Sequence, residues 1–214
     1  MNAVALKEKL VDFPLYILSR PFKGFDEMKT EGRGSMLYAV IVLVVLGLVR
    51  IWQAMYTGFV VSGIWQEVQN ANVITILTFT YAPIALICLA NWSITSVTNG
   101  NGKMKEIFYV YCYALFPTLF LRMAGTALSN VVTLNESAFV TFFFVFAQVL
   151  LYFYLFLGLT VIHEYTFLRA LFMVFLTILA MLIIVFVMAL FVSLLSEFTW
   201  FIYTIIYEVD AHLL

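Results

Sequence analysis

Residues 91–117, NWSITSVTNGNGKMKEIFYVYCYALFP, decide the fold, because a run of turn residues here separates two strongly apolar segments. Asn and Gly alternate at positions 99–102, and clusters of these residues are typical of turns. Two lysines, Lys103 and Lys105, follow this run directly. We therefore predict a hairpin that joins two membrane helices and exposes its basic turn to the cytoplasm.

The composition of the whole chain indicates a membrane protein. Of its 214 residues, 64% are hydrophobic and 11% are charged, whereas soluble domains are about 45–50% apolar and about 25% charged. A water-soluble core in so short a chain could not bury this much apolar surface. The lipid bilayer is therefore the first expected partner, and we expect no nucleic-acid partner.

The apolar segments predict an all-α fold, namely a polytopic membrane helical bundle with five transmembrane helices. About 20 apolar residues are needed to cross the hydrocarbon core. The predicted spans cover approximately residues 36–58, 73–97, 107–130, 138–162 and 170–193. All the loops between these spans are short, so we expect residues 36–214 to form one membrane domain.

The last apolar run is too long for one crossing. Residues 170–207 would reach about 57 Å as a helix, against a hydrocarbon core of about 30 Å. We therefore predict a break at Ser193, Ser196 and Glu197, and we interpret residues 197–214 as an interfacial tail.

Residues 1–35 form a basic, amphipathic segment before the first span. Its first helical piece ends at Arg20-Pro21, because the residue before a proline disfavours the helical conformation. Two placements fit this composition. The segment lies in the cytoplasmic headgroup layer, or it packs on the protein's own inner surface.

The distribution of basic residues predicts the orientation. With five spans, one set of loops holds nine of the 11 Lys and Arg residues, and the other set holds none. Positively charged loops remain in the cytoplasm. We therefore expect an integral multi-pass membrane protein with its N-terminus in the cytoplasm and its C-terminus outside or in the lumen.

The two remaining basic residues, Arg50 and Arg122, lie within spans, at similar depth in the outer half of the membrane. An ionisable side chain in a span costs about 2.5 kcal/mol or more and usually faces the protein interior or water. Glu67 and Glu136 are predicted on the same side as counter-charges. Two interpretations stay open: the arginines reach outer headgroups or carboxylates, or they line a polar cavity that binds an anionic or hydroxyl-rich group, such as a lipid.

Pro83 and Pro117 fall at matching depths on either side of the hairpin. Each proline removes a backbone donor and frees a carbonyl, so paired breaks near the midplane can line a binding site. Simple kinks are the alternative. Asn91, one to two turns before the hairpin, is predicted to bond to a neighbouring helix.

Catalytic and metal-binding motifs are not evident. His163-Glu164 would need a second histidine at position 167 to complete a zinc-protease motif, but that residue is Phe167. The two cysteines lie in apolar runs without a nearby histidine, which argues against a zinc site. We predict a protein that is not an enzyme and has no cofactor or metal. Lys103, Lys105, His163 and Glu164 form a candidate cytoplasmic docking surface.

Five short motifs, spread over nearly the whole chain, carry a family resemblance. They are Arg-Pro-Phe-Lys-Gly-Phe-Asp-Glu-Met-Lys at 20–29, Asn91-Trp92-Ser93, Asn-Gly-Asn-Gly-Lys-Met-Lys-Glu-Ile at 99–107, Cys-Tyr-Ala-Leu-Phe-Pro at 112–117, and His163-Glu164-Tyr165. The pattern resembles the bacterial branch of the Yip family, which in eukaryotes comprises Ypt/Rab-interacting five-span membrane proteins. The resemblance implies a location in the bacterial cell membrane, five spans with a cytoplasmic N-terminus, and roles in membrane organisation and partner binding.

Two functions are compatible with these observations. The first is a non-enzymatic scaffold or accessory protein that binds a membrane partner or self-associates. For this function the resemblance implies carbohydrate ABC-transporter components, in particular a permease, as candidate partners. The second is a small transporter or lipid-binding protein that uses Arg50, Arg122, Pro83 and Pro117. The two functions differ in whether the arginines converge in one accessible cavity.

Overall fold

The computed structural model describes residues 7–58, 61, 72–98 and 100–213, of which residues 209–213 are described by their backbone alone. These residues form helices and no strands, which confirms the all-α prediction. The α-helices are α1 (Phe13–Ser19), α2 (Pro21–Thr30), α3 (Met36–Tyr56), α4 (Val73–Val97), α5 (Met104–Leu128), α6 (Ser137–Ile162) and α7 (Phe167–Leu213). A π-helical turn (Glu8–Asp12) precedes α1, and a 3-10 turn (Leu134–Glu136) precedes α6.

In the described part of the chain, 5 helices are long and apolar enough to cross a membrane, namely α3 to α7. Helix α4 has the bounds expected for the second span, and α5 begins three residues before the predicted start of the third. The earlier start has a local cause: the Glu106 carboxylate accepts a hydrogen bond from the Lys103 N–H at 3.0 Å and caps the first turn.

Helix α5 forms the centre of the bundle. In the most apolar 18-residue segment of α5, 56% of the residues are buried, the largest share among the five long helices. It packs most extensively against α6 and also contacts α1, α3 and α4, while α7 packs mainly against α4. Tyr113 of α5 stacks on Tyr38 of α3 with 4.3 Å between ring centroids, and the ring of Phe13 meets it edge-on at 5.5 Å.

Helices α1 and α2 pack on the bundle. Four of their apolar side chains are at most 3% exposed and belong to the main core, namely Phe13, Ile17, Phe25 and Met28. The Tyr154 hydroxyl of α6 donates a hydrogen bond to the Leu18 carbonyl at 2.9 Å. The described residues of this segment therefore pack on the protein's own surface, and their placement in the headgroup layer stays a prediction.

Helix α7 corrects the prediction for the C-terminal part. It continues from residue 167 to residue 213, so the predicted break at Ser193, Ser196 and Glu197 is wrong. The physical reason is local, because this segment contains neither glycine nor proline and every residue can donate its helical hydrogen bond. The interfacial placement of residues 197–214 stays a prediction.

Pro83 and Pro117 do not interrupt their helices either. Helices α4 and α5 continue through them, because each proline removes one helical hydrogen bond and packing in a bundle tolerates this loss. Pro117 is buried in the core, whereas Pro83 is exposed on the surface of α4. The two prolines therefore do not line a common site.

The two ends of the bundle differ in charge. At one end, Lys29 Nζ of α2 lies 2.5 Å from Glu164 Oε1 in the turn after α6, and Asn101 of the hairpin donates to the same carboxylate at 3.1 Å. We call this the basic end. At the opposite end the Gly58 N–H donates to Ser129 Oγ at 2.9 Å and joins α3 to α5. Helices α3, α5 and α7 thus run away from the basic end, and α4 and α6 return to it.

Candidate functional site

Arg50 and Arg122 line one cavity, which we call the arginine cavity. Its volume is about 460 Å³. Arg50 and Gln53 reach it from α3, Arg122 reaches it from α5, and Gln148 and Tyr152 reach it from α6. The sequence left open whether the two arginines converge, and the structure brings them together.

The direction of the helices explains the depth that these side chains reach. Each arginine lies six residues, or about 9 Å, before the end of its helix. Helical side chains lean toward the helix N-terminus, and α3 and α5 both begin at the basic end. Arg122 Nη2 donates to Gln148 Oε1 at 2.9 Å, and Gln148 lies about 16 Å along α6. Arg122 therefore contacts the bundle interior.

The arginine cavity holds two positive charges and no negative charge among the described side chains. The contacts of Arg50 are with neutral groups, Gln53 Oε1 at 3.2 Å and Thr80 Oγ1 at 3.4 Å. All ion pairs in the described part of the chain lie at the basic end, and none includes either arginine. Because charges are poorly solvated inside a membrane protein, an anion bound between the guanidinium groups would stabilise both.

The structure does not bring Glu136 to either arginine. Its carboxylate accepts hydrogen bonds from the Thr133 N–H and hydroxyl, both at 3.0 Å, in the turn before α6. This local capping occupies the carboxylate, so the predicted pairing with an arginine is not made. Glu67, the other predicted counter-charge, lies outside the described residues.

The arginine cavity opens sideways between helices. Three α6 side chains that line it, Val145, Val149 and Tyr152, are 51–56% exposed on the surface of the bundle. In a membrane this surface faces hydrocarbon chains. An anionic group that belongs to an amphiphile can therefore enter the cavity from the bilayer.

A second cavity, also of about 460 Å³, lies between α4, α6 and α7. Most of its lining is apolar, and its polar side chains are those of Asn91, Tyr152 and Thr177. We call it the apolar cavity. Tyr152 is the residue that the two linings share.

His163 joins the two turns of the basic end. It is 2% exposed, its Nδ1 accepts from the Gly102 N–H at 3.0 Å, and its Nε2 lies 3.2 Å from Asn91 Oδ1. Because a backbone N–H can only donate, Nε2 carries the ring hydrogen and donates to Asn91. Asn91 Nδ2 then donates to Thr177 Oγ1 at 3.2 Å. We call these four residues the histidine clasp. The bond of Asn91 to another helix agrees with its predicted role.

The histidine clasp holds His163 in the neutral form. Burial lowers the pKa of His163 to about 4, and the charge of Lys29 acts in the same direction. Both ring nitrogens already have partners. The docking role predicted for His163 would therefore require the clasp to open.

Glu164 secures the same turn from outside. Its φ of 57° lies in the left-handed region, which costs about 1–3 kcal/mol for a residue other than glycine. Its carboxylate offsets this strain by accepting hydrogen bonds from Lys29 Nζ at 2.5 Å and Asn101 Nδ2 at 3.1 Å. The bond from Lys29 lowers the pKa of Glu164, so this carboxylate remains charged in mild acid.

Two glycines of the hairpin turn permit this packing. A Cβ at Gly102 would lie 2.5 Å from Cε1 of His163, and one at Gly100 would lie 2.5 Å from the Tyr165 hydroxyl. Tyr165 in turn stacks on His163 with 5.1 Å between ring centroids. The alternating Asn and Gly residues therefore allow close approach of the two turns as well as a change of chain direction.

Lys103 and Lys105 are exposed at the basic end. Lys105 Nζ lies 5.4 Å from the centroid of the Tyr109 ring, and the docking role of both lysines stays a prediction. In the described part of the chain, no group of three or more His, Cys, Asp or Glu residues could hold a metal ion.

Sequence reasoning missed four polar side chains that line these cavities, namely Gln53, Gln148, Tyr152 and Thr177. Gln148 is a strongly polar residue in a Phe-rich span, the same signal that marked Arg122, and could have been found. Tyr152 and Thr177 have no such signal, because tyrosine and threonine are common in membrane helices and only the fold shows which cavity they line.

Together these features define an integral, multi-pass α-helical membrane protein, with a buried histidine at its basic end and an arginine cavity in its opposite half. The family model described as the Yip1 domain matches residues 15–189, which is more than half of the chain. The protein therefore belongs to the Yip family, as the motifs predicted. Comparisons with curated proteins and with solved structures found no significant match.

Proposed function

We propose that this protein binds the anionic headgroup of a lipid in the arginine cavity. The observation that carries the proposal is the convergence of Arg50 and Arg122 in one cavity, without a carboxylate partner among the described residues. A phosphate group is the favoured ligand, because guanidinium groups bind its oxygens through charge-assisted, often bidentate hydrogen bonds. The function is binding and membrane organisation, without a catalysed reaction.

The position of the cavity supports a lipid rather than a soluble anion. Its exposed rim on α6 would face the bilayer, so a lipid could enter without leaving the membrane. If the basic end is cytoplasmic, as the positive-inside rule favours, the cavity lies in the outer half of the membrane and draws lipid from that leaflet.

The test measures binding of phosphatidic acid to the protein in phosphatidylcholine nanodiscs. Arg50→Gln and Arg122→Gln should each weaken binding about tenfold or more, because each removes charged hydrogen bonds worth about 1.5–3 kcal/mol. Arg20→Gln is the matched control, since it removes the same charge from an exposed site at the basic end. Its affinity should equal that of the unaltered protein.

Two results would count against this proposal. Equal binding of phosphatidic acid by the unaltered protein and by the Arg50→Gln/Arg122→Gln double variant would show that the cavity is not the site. Binding of inorganic phosphate as tight as that of phosphatidic acid would show that the ligand is a soluble anion. Arg122→Lys keeps the positive charge but loses the paired N–H donors of the guanidinium group, so it should weaken binding less than Arg122→Gln.

Helix α7 favours a second function, that of a scaffold for a membrane partner or a second copy of the chain. Of the most apolar 18 residues in its stretch Phe167–Glu208, 6% are buried, and all residues from 185 to 208 are exposed. At 1.5 Å per residue this stretch measures about 63 Å, roughly twice the hydrocarbon thickness. A perpendicular crossing would leave half of it outside lipid, so a tilt or a protein partner must cover the remainder.

Purification in mild detergent tests the scaffold function. A partner in fixed stoichiometry, or a homo-oligomer, should accompany the protein, and charge reversal of Lys103 and Lys105 should reduce partner recovery if the basic end docks it. A permease of a carbohydrate ABC transporter is the candidate partner that the family resemblance implies for a bacterial member. A monomer in several detergents and under crosslinking in membranes would contradict this function.

A further inference from the structure

We propose that the arginine cavity and the apolar cavity form a single, bipartite site for one phosphate-bearing lipid. The phosphate lies between Arg50 and Arg122, and one hydrocarbon chain of the same molecule passes Tyr152 and fills the apolar cavity. This inference rests on the proposed headgroup function. It adds the position of the lipid's hydrocarbon chain, which the two arginines do not determine.

The first argument is that one face of α6 lines both cavities. The lining residues follow each other at spacings of three and four, from Val145 through Gln148, Tyr152 and Leu155 to Leu159. Such spacing places side chains on one face of a helix. From Val145 to Leu159 this row of side chains measures about 21 Å along the helix axis. The hydrocarbon chain of a lipid can therefore follow the row along the surface of α6.

The second argument is the match between the two cavities and the two parts of an amphiphile. The arginine cavity presents two guanidinium and two amide groups, whereas the apolar cavity is lined mainly by aliphatic and aromatic side chains. Each volume of about 460 Å³ falls within the range of about 300–1,000 Å³ typical of ligand sites. A soluble anion would leave the apolar cavity unused, and a neutral hydrocarbon would leave the arginines uncompensated.

The third argument is the residue at the junction. Tyr152 combines an apolar ring with a hydroxyl group, and such side chains suit positions where one end is apolar and the other polar. The row continues to Leu159, three residues before α6 ends at the basic end. The chain of the bound lipid therefore points from the arginine cavity toward the basic end.

The experiment compares hexadecyl phosphate with butyl phosphate, which carry the same headgroup on chains of different length. Ile178→Trp would fill the apolar cavity from α7, where Ile178 lines it and is 53% exposed. Leu179→Trp is the matched control, because Leu179 is 45% exposed on the same helix and does not line the cavity. Both substitutions add volume at exposed positions, so both variants should fold.

Ile178→Trp should weaken binding of hexadecyl phosphate in phosphatidylcholine nanodiscs severalfold, because the hydrocarbon chain displaced from the cavity loses its packing contacts there while remaining in the bilayer. Binding of butyl phosphate should be unchanged, and Leu179→Trp should alter neither ligand. An unchanged preference for the long chain in Ile178→Trp would overturn the bipartite site. If Arg50→Gln still weakens both phosphates, the headgroup proposal survives that result, whereas loss of this arginine effect would overturn both.

A second measurement does not depend on these variants. Hexadecyl phosphate with a photoreactive diazirine at the end of its chain should label α7 within residues 174–181 of the unaltered protein. Labelling confined to α3 would place the chain away from the apolar cavity and overturn the proposal.

Discussion

The buried, neutral state of His163 predicts that mild acid destabilises the protein through this residue. Histidine in an unfolded chain has a pKa of about 6.5, whereas burial lowers the pKa of His163 to about 4 in the fold. Between these values the unfolded state binds a proton that the folded state does not. As the pH decreases through this range, the free energy of unfolding therefore decreases by about 1.4 kcal/mol per pH unit. Above pH 6.5 neither state binds the proton, and below pH 4 both do.

From pH 7 to pH 5 this linkage amounts to a loss of about 2 kcal/mol. Denaturant unfolding in detergent micelles, followed by intrinsic fluorescence, measures it. The carboxylates with lowered pKa at the same end, Glu27 and Glu164, titrate below this window and do not contribute to the change.

Two histidine variants separate the effect of His163 from any general effect of acid. His163→Gln should remove the loss between pH 7 and pH 5, although it lowers stability at both values by breaking the clasp. His212→Gln alters the only other histidine of the chain and should retain the loss. The reasoning is refuted if His163→Gln shows the same fall with acid as the unaltered protein.

Three further predictions concern other parts of the fold. Gly102→Ala, whose Cβ would lie 2.5 Å from the buried histidine ring, should lower the free energy of unfolding by about 1–3 kcal/mol, measured in the same micelles. Spin labels at Leu179 and Tyr203 should lie about 36 Å apart if α7 is continuous. A clearly shorter distance would show that α7 is broken between these positions, as the sequence predicted. Lys29→Glu should destabilise by up to about 1 kcal/mol, and adding Glu164→Lys should reverse this, whereas additive losses would argue against the pair.

The number of long helices could be predicted from the sequence because it depends on the length of apolar runs and on turn residues, both of which are local. The end of α7 could not be predicted in the same way. The predicted break at Ser193, Ser196 and Glu197 used membrane thickness to place a helix end, but helix ends depend on residues such as glycine and proline. This segment contains neither, so the helix continues beyond the predicted end of the fifth span.

The candidate sites were predictable in part. The depth of Arg50 and Arg122 in the membrane follows from counting residues along their helices. Their convergence depends on how α3 and α5 are rotated about their own axes, and a helix that is apolar on every face gives no sequence signal of this rotation. His163 was predicted to belong to a cytoplasmic docking surface, and no signal in the sequence indicated that its side chain is buried. Its partners Gly102 and Asn91 lie 61 and 72 residues away in the sequence, a separation that local patterns do not bridge.

The motifs that identify the family and the residues that line the arginine cavity are different sets, and this difference bears on function. Asn91, Gly102 and His163 come from three of the motifs and meet in one clasp that fixes the turns of the basic end. Arg50 and Arg122, by contrast, lie outside every motif that carried the resemblance. The features shared with the Yip family therefore include the clasp that fixes this end of the fold, whereas the proposed lipid binding would depend on the two arginines. A family member with the same clasp but neutral residues at these two positions should keep the fold and lose the affinity for lipid phosphate.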